Sequence, residues 1–171
     1  MTVSKNDKST KSDPDVAPVK AYIGCSWFSD EQIALMNAGL DAIEQNPTIS
    51  RKFSHYPLDF QYKGLNVHDD PEVMNGVEWQ VQTFRADIAG IQSSDLGIML
   101  YDPNDIDDGM AYECGVLATM NKPVILVIPE DNQKPLNLMM AHGVTRIINI
   151  SELAEYDFRH VTLGTYRGKV F

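Results

Sequence analysis

Val124-Ile-Leu-Val-Ile128, introduced by Pro123, is a run of five apolar residues of which four are β-branched. Such a segment is apolar on both faces and has to be covered on both. That is the situation of a central strand in a parallel sheet with helices above and below it. Three more runs carry strand signatures. Ala21 to Cys25 precedes a helix start, Leu96 to Tyr101 stops at Asp102-Pro103, where proline cannot continue a ladder, and Arg146 to Ile150 follows Gly143.

Helical spacing fills the intervals. Ser29 with Gln32 three residues on reads as a capping box, and Ile33, Met36, Leu40 and Ile43 recur at helical period until Asn46-Pro47. Val77, Val81, Phe84, Ile88 and Ile91 step by four, three, four and three, which predicts one core-facing stripe over about four turns. Met110, Cys114, Leu117 and Met120 predict a third helix, and Leu136 to Ala141 a short fourth. Strand and helix alternate, so the expected fold is α/β, a three-layer, flavodoxin-like, doubly wound and mostly parallel sheet. Ligands of such sheets sit beyond the carboxyl ends of the strands. This directs attention to Ser26–Asp30, Tyr101–Glu113 and Ile128–Asn137.

Residues 1–18 are polar, contain two prolines and show no periodicity, and are expected to be a flexible tail before a single catalytic domain at 19–171. The net charge is -10; the first twenty residues hold four lysines against three aspartates, so the remainder carries -11. An acidic surface repels phosphate backbones, which argues against a nucleic-acid polymer and leaves small, weakly charged ligands. Cys25 and Cys114 form no CxxC pair, which fits a reducing compartment, and no stretch approaches the length of a membrane span. A cytoplasmic location is expected.

The segment richest in chemistry is Tyr101-Asp-Pro-Asn-Asp-Ile-Asp-Asp-Gly-Met-Ala-Tyr-Glu-Cys-Gly115. Asp107 falls in a loop and Glu113 about one turn into the next helix, whose positive end favours an ionised carboxylate. An ionised carboxylate beside a second acid can break a glycosidic bond, one group attacking the anomeric carbon while the other manages the leaving group's proton. Capping and the helix dipole account for acids here equally well. A calcium loop does not, because aligning Gly109 with its obligatory glycine puts Ile106 and Gly115 at ligand positions. His55, His68, His142 and His160 stand at no metal-ligand spacing and read as surface or loop residues, and Cys114 reads as packing. No phosphate-cradling glycine loop is present.

Asp107, then Gly109, then Glu113 resembles the nucleophile region of the nucleoside 2-deoxyribosyltransferases. The similarity runs from about Lys20 to the last residue through Tyr22-Ile-Gly-Cys-Ser-Trp-Phe28, Pro57-Leu-Asp-Phe-Gln-Tyr-Lys-Gly64 and Lys134-Pro-Leu-Asn-Leu-Met139. The resemblance implies that Glu113 is the nucleophile and that Tyr22 hydrogen-bonds and orients it. It implies that Asp87 and Asp107 contact the nucleobase, with Asp107 moving the proton, and that Gln61 and Phe28 line the base pocket. Asn137, beside Met139, and the carboxylate of Phe171 would hold the sugar 5'-hydroxyl from a neighbouring subunit of a hexamer or dimer. The family commonly ends in tyrosine, so Phe171 departs from its pattern. Contact of Tyr22 or Gly24 with C2' would exclude ribose.

The reaction so implied exchanges the base of a 2'-deoxyribonucleoside through a deoxyribosyl–Glu113 ester with net retention of configuration. Free purine and pyrimidine bases would be its acceptors, no metal or other cofactor would take part, and the 134–139 and Gln61 segments resemble the broad-specificity group. The alternative within the same lineage is an N-glycosidase that hydrolyses deoxynucleoside 5'-monophosphates. A phosphoacceptor receiver fits less well, since Gly24-Cys-Ser-Trp-Phe28 offers no acid at the end of the first strand.

Overall fold

The four apolar runs become four parallel strands. In the computed structural model, which describes residues 16–67 and 69–171, β1 (Ala21–Cys25), β2 (Leu96–Leu100), β3 (Val124–Ile128) and β4 (Arg146–Asn149) lie side by side in that order. Tyr22 stands opposite Gly97, Ile98 opposite Ile125 and Leu126 opposite Ile147. Helices α1 (Asp30–Gln45), α2 (Val77–Ser93), α3 (Asp108–Thr119) and α4 (Leu138–Gly143) complete the alternation. Of the expected tail, residues 1–15 lie outside the described residues, and Val16, Ala17 and Pro18 are exposed.

The twofold period of each strand sorts its side chains into two cores. Ala21, Ile23, Ile98, Leu100, Ile125 and Val127 face α1, whose Leu35, Met36 and Ile43 meet them together with Leu153 and Phe158. Tyr22, Met99, Leu126 and Ile128 face Ile91, Met110, Cys114, Leu117 and Met140 of the other three helices. The result is the expected three-layer α/β sandwich.

A fifth edge lies outside β1, where sequence reading expected no strand. Val19 bridges Ile49 and Tyr22 bridges His55, both in parallel; Ile23 N donates to His55 O at 2.8 Å and His55 N to Ala21 O at 2.8 Å. A 3-10 turn at Arg51–Phe53 interrupts the pairing. Chain order across the sheet therefore reverses beside β1, which makes the carboxyl ends of β1 and β2 the switch-point crevice where ligands of doubly wound sheets bind.

Two local expectations need correction. The stripe on α2 is not core-facing along its length. Val77, Val81 and Phe84 are 71%, 41% and 52% exposed, and only Gly90 and Ile91 of this helix are buried. The first turns of α2 rest on the 3-10 turns at Pro57–Asp59, Tyr62–Gly64 and Pro71–Asn75 rather than on the sheet. The capping box at α1 is half formed: Ser29 Oγ accepts from Gln32 N at 3.3 Å, but Gln32 Oε1 accepts from Phe28 N at 2.8 Å. Gln32 Nε2 donates to Asp105 O at 3.0 Å, so this buried amide ties the loop after β1 to the loop after β2. No described helix is long and apolar enough to cross a membrane.

Candidate active site

Two strand ends and one helix start assemble the site. Tyr22 is fully buried on β1, and its hydroxyl donates to Glu113 Oε1 at 2.6 Å from beneath α3. The next residue on the same face of β1 is Gly24. A methyl group there would fall 2.3 Å from Met99 Cε and 3.2 Å from Glu113 Oε2, so the absence of a side chain is what admits the carboxylate. Asp107 caps α3, its Oδ1 accepting from Gly109 N at 2.7 Å and Met110 N at 3.2 Å. Its Oδ2 accepts from Ser26 Oγ at 2.7 Å, which joins α3 to the loop after β1.

The third acid arrives from α2. Asp87 Oδ1 lies 3.4 Å from His55 Nε2, and the His55 ring stacks on Tyr22 at 5.5 Å between centroids. Tyr22, Gly24, Asp87, Asp107 and Glu113 thus converge on the crevice between β1 and β2. Gln61 is buried, but it closes its own loop, its Oε1 accepting from Val67 N at 2.9 Å. Phe28 stands exposed against the Trp27 ring, 5.2 Å between centroids.

Asn137, Met139 and Phe171 are elsewhere. They line a groove of about 570 Å³ with Ala111, Gly115 and Ala118, on the flank of α3 turned roughly 200° from Glu113. Asn137 Oδ1 accepts from Met139 N at 2.9 Å and caps α4. The last residues are strapped alongside, Phe171 N donating to Leu136 O and Leu138 N to Phe171 O, each at 3.0 Å. A single chain does not bring these three residues to its own Glu113.

Electrostatics sharpen the role of Glu113 and correct one expectation. Its carboxyl is raised to about 7 in all: burial pushes it up, the hydrogen bond from Tyr22 pulls it down, and the charges of Asp87 and Asp107 push it up. The helix dipole, at about 0.3–1 kcal/mol, does not offset the net upward shift, so this carboxyl is not held in the ordinary ionised range. Burial, then the neighbouring Glu113, hold the Tyr22 phenol protonated well above its ordinary range. Burial likewise pushes the Cys25 and Cys114 thiols up to about 12. Both are neutral and packed in the core, as expected for Cys114.

Sequence reading assigned no site role to Ser26, Gln32 or His55. Ser26 had a signal, being the first polar residue past an apolar strand that ends in the crevice. Of the surface or loop position expected for His55 the loop holds, between two 3-10 turns, but only 11% of its side chain is exposed; its signal is Gly90, a helix-interior glycine with no sequence rationale. His142 and His160 are exposed, and His68 lies outside the described residues. Among the described residues no group of three His, Cys, Asp or Glu side chains is arranged to hold a metal ion.

The nucleoside 2-deoxyribosyltransferase family model matches residues 21–139. The chain is 36% identical over 151 residues to the nucleoside deoxyribosyltransferase of Lactobacillus leichmannii, a match that covers 88% of this chain and 96% of that protein. It is 36% identical over 157 residues to the nucleoside deoxyribosyltransferase of Limosilactobacillus fermentum, covering 88% and 92%. The solved structure of a 2-deoxyribosyltransferase from Bacillus psychrosaccharolyticus shares the fold, with a TM-score of 0.71 at 21% identity over 86% of this chain and 98% of that one. A parallel three-layer sheet with a buried acid and two further acids at its switch point is, with these likenesses, a glycosyl-transferring enzyme. The chain belongs to the nucleoside 2-deoxyribosyltransferase family, and it is a transferase.

Proposed function

We propose that this enzyme exchanges the nucleobase of 2'-deoxyribonucleosides through a covalent deoxyribosyl ester on Glu113. The observation that carries this reading is the 2.6 Å hydrogen bond from the buried Tyr22 hydroxyl to Glu113 Oε1. It fixes one carboxylate oxygen and leaves Oε2 facing Gly24. In the first step Oε2 attacks C1' as the bond from C1' to the base nitrogen breaks, and the departing base takes a proton delivered by Asp107. In the second step a different base attacks C1' from the vacated side, the ester bond breaks, and Asp107 recovers a proton. Two inversions give net retention, and the kinetics are ping-pong.

Asp87 and Asp107 then contact the base, with Phe28 and Gln61 at the pocket wall, and purines and pyrimidines both serve as acceptors. Gly24 brings the β1 backbone close enough to C2' to disfavour ribose. Asn137, Met139 and Phe171 complete the sugar end of a neighbouring subunit's site, since they lie away from the Glu113 of their own chain. The exposed Val77, Val81 and Phe84 of α2, with the Phe84 ring 6.2 Å from Tyr112, supply an apolar surface for such a homo-oligomer. The unit that does this is the 19–171 domain, working in the cytoplasm.

Incubating a deoxynucleoside with and without a second free base, and following the products by chromatography, tests this directly. New nucleoside formed only in the presence of the acceptor is expected. Equal release of free base in both tubes would instead mean hydrolysis. Inosine in the same assay is expected to react at least about a hundredfold more slowly, the scale of exclusion by a well-packed site.

A further inference from the structure

His55 is built into the crevice more tightly than a connecting residue needs to be. Its backbone is held on both sides by β1, through Ala21 O and Ile23 N. Its ring stacks with two others, the Tyr22 ring 5.5 Å away at 8° and the Phe60 ring 4.5 Å away at 14°. Its ring packs against Gly90 of α2, where an added methyl group would fall 2.3 Å from His55 Cγ, 2.4 Å from Cδ2 and 2.6 Å from Nδ1. Its Nε2 lies 3.4 Å from Asp87 Oδ1, one helical turn before that glycine. This is long for a hydrogen bond and short enough for the two groups to restrain each other.

We propose that His55 is a positioning residue of the transfer reaction, the wedge that sets Asp87 on α2 at a fixed separation from Tyr22 and Glu113 on the other side of the crevice. Two groups with different tasks depend on the one ring. Its face supports the phenol that holds the nucleophile, and its Nε2 restrains the carboxylate that meets the base. Because Gly90 and Ile91 are the residues of α2 that are buried, the slot formed by His55 and Gly90 governs where Asp87 sits. The inference rests on the proposed contact of Asp87 with the nucleobase.

Steady-state transfer kinetics on the full chain test it with four variants. His55→Phe keeps a stacking ring and removes Nε2, and kcat/KM is expected to fall about tenfold, chiefly through KM for donor and acceptor base. His55→Gln reaches the same position with an amide N–H and is expected to stay within about threefold of the parent. In an Asp87→Asn background, His55→Phe is expected to cost less than about twofold, because the two residues act as one unit. If His55→Phe misfolds, Gly90→Ala supplies the readout by displacing the ring from its slot, with the same rise in KM expected.

Unchanged kinetics in a folded His55→Phe protein would overturn the proposal. So would a loss of the same size in the Asp87→Asn background, or a Gly90→Ala protein with parental KM values. If Asp87→Asn alone transfers at the parental rate, the assignment of Asp87 to the base fails first and this proposal with it, whereas an impaired Asp87→Asn beside an unimpaired His55→Phe defeats this proposal alone.

Discussion

At the scale of single residues, Glu113 is held between two opposing effects. Desolvation by β1, β2 and α3 drives the carboxyl towards its neutral form, and the Tyr22 hydroxyl drives it back. A nucleophile has to be ionised, so transfer should be lost as pH falls through about 7 and level off above it, which a pH profile of kcat/KM will read. Tyr22→Phe removes the group that favours the charged form, and the midpoint should move to higher pH with a rate loss on the order of tenfold to a hundredfold, the worth of a hydrogen bond to a charged group. Stability has the opposite sign. An unfolded glutamate ionises near 4.5 and this one near 7, so the folded state binds the extra proton between those values. The stability it contributes is complete below 4.5 and gone above 7. Glu113→Gln, whose amide oxygen can still accept from Tyr22, should therefore raise unfolding stability by about 3 kcal/mol at about pH 8 and leave it unchanged at about pH 4, as measured by denaturant titration.

At the scale of elements, the strands were legible in the sequence because burial on both faces demands an apolar residue at every position, and Val124–Ile128 meets that demand. Glu113 and Asp107 were legible as candidates because a loop acid and a helix-start acid fall at one crevice, whereas Tyr22 was legible only through the family resemblance. The stripe on α2 misled for a physical reason: helical periodicity shows that one face is apolar and does not say what covers it. Nor does the sequence show Lys122, whose ammonium donates to the carbonyls of Ile91, Gln92 and Ser94 and so closes the end of α2. Lys122→Met should lower stability by about 1–2 kcal/mol, since the last carbonyls of a helix lose a charged partner. Gly90→Ala should also destabilise. Helix propensity alone would favour alanine by about 1 kcal/mol, yet the methyl group meets the His55 ring in a packed slot, where overpacking costs about 1–3 kcal/mol. A melting temperature above the parent's would contradict the slot.

At the scale of the whole molecule, the site is divided between the two flanks of α3. Glu113 faces β1, while Asn137, Met139 and Phe171 line the groove beyond Ala111 and Gly115. On the proposed reading, one chain carries the nucleophile on one flank and the sugar anchor on the other, and a second copy unites them. Phe84→Glu should therefore lower the assembly state in sedimentation and cut transfer together. Removing Val170 and Phe171 should reduce transfer at least about tenfold, a usual cost of losing a positioning contact, while leaving the assembly intact. Period and spacing describe one chain, so the proposed division came only from the family resemblance and not from local patterns. The proposed covalent step can be tested on the intact protein. After mixing with a 2'-deoxynucleoside alone and quenching in acid, peptide mass spectrometry should find one deoxyribosyl group on Glu113 and none in Glu113→Ala. A deoxyribosyl group on another residue, or transfer that proceeds in Glu113→Ala, would contradict Glu113 as the nucleophile.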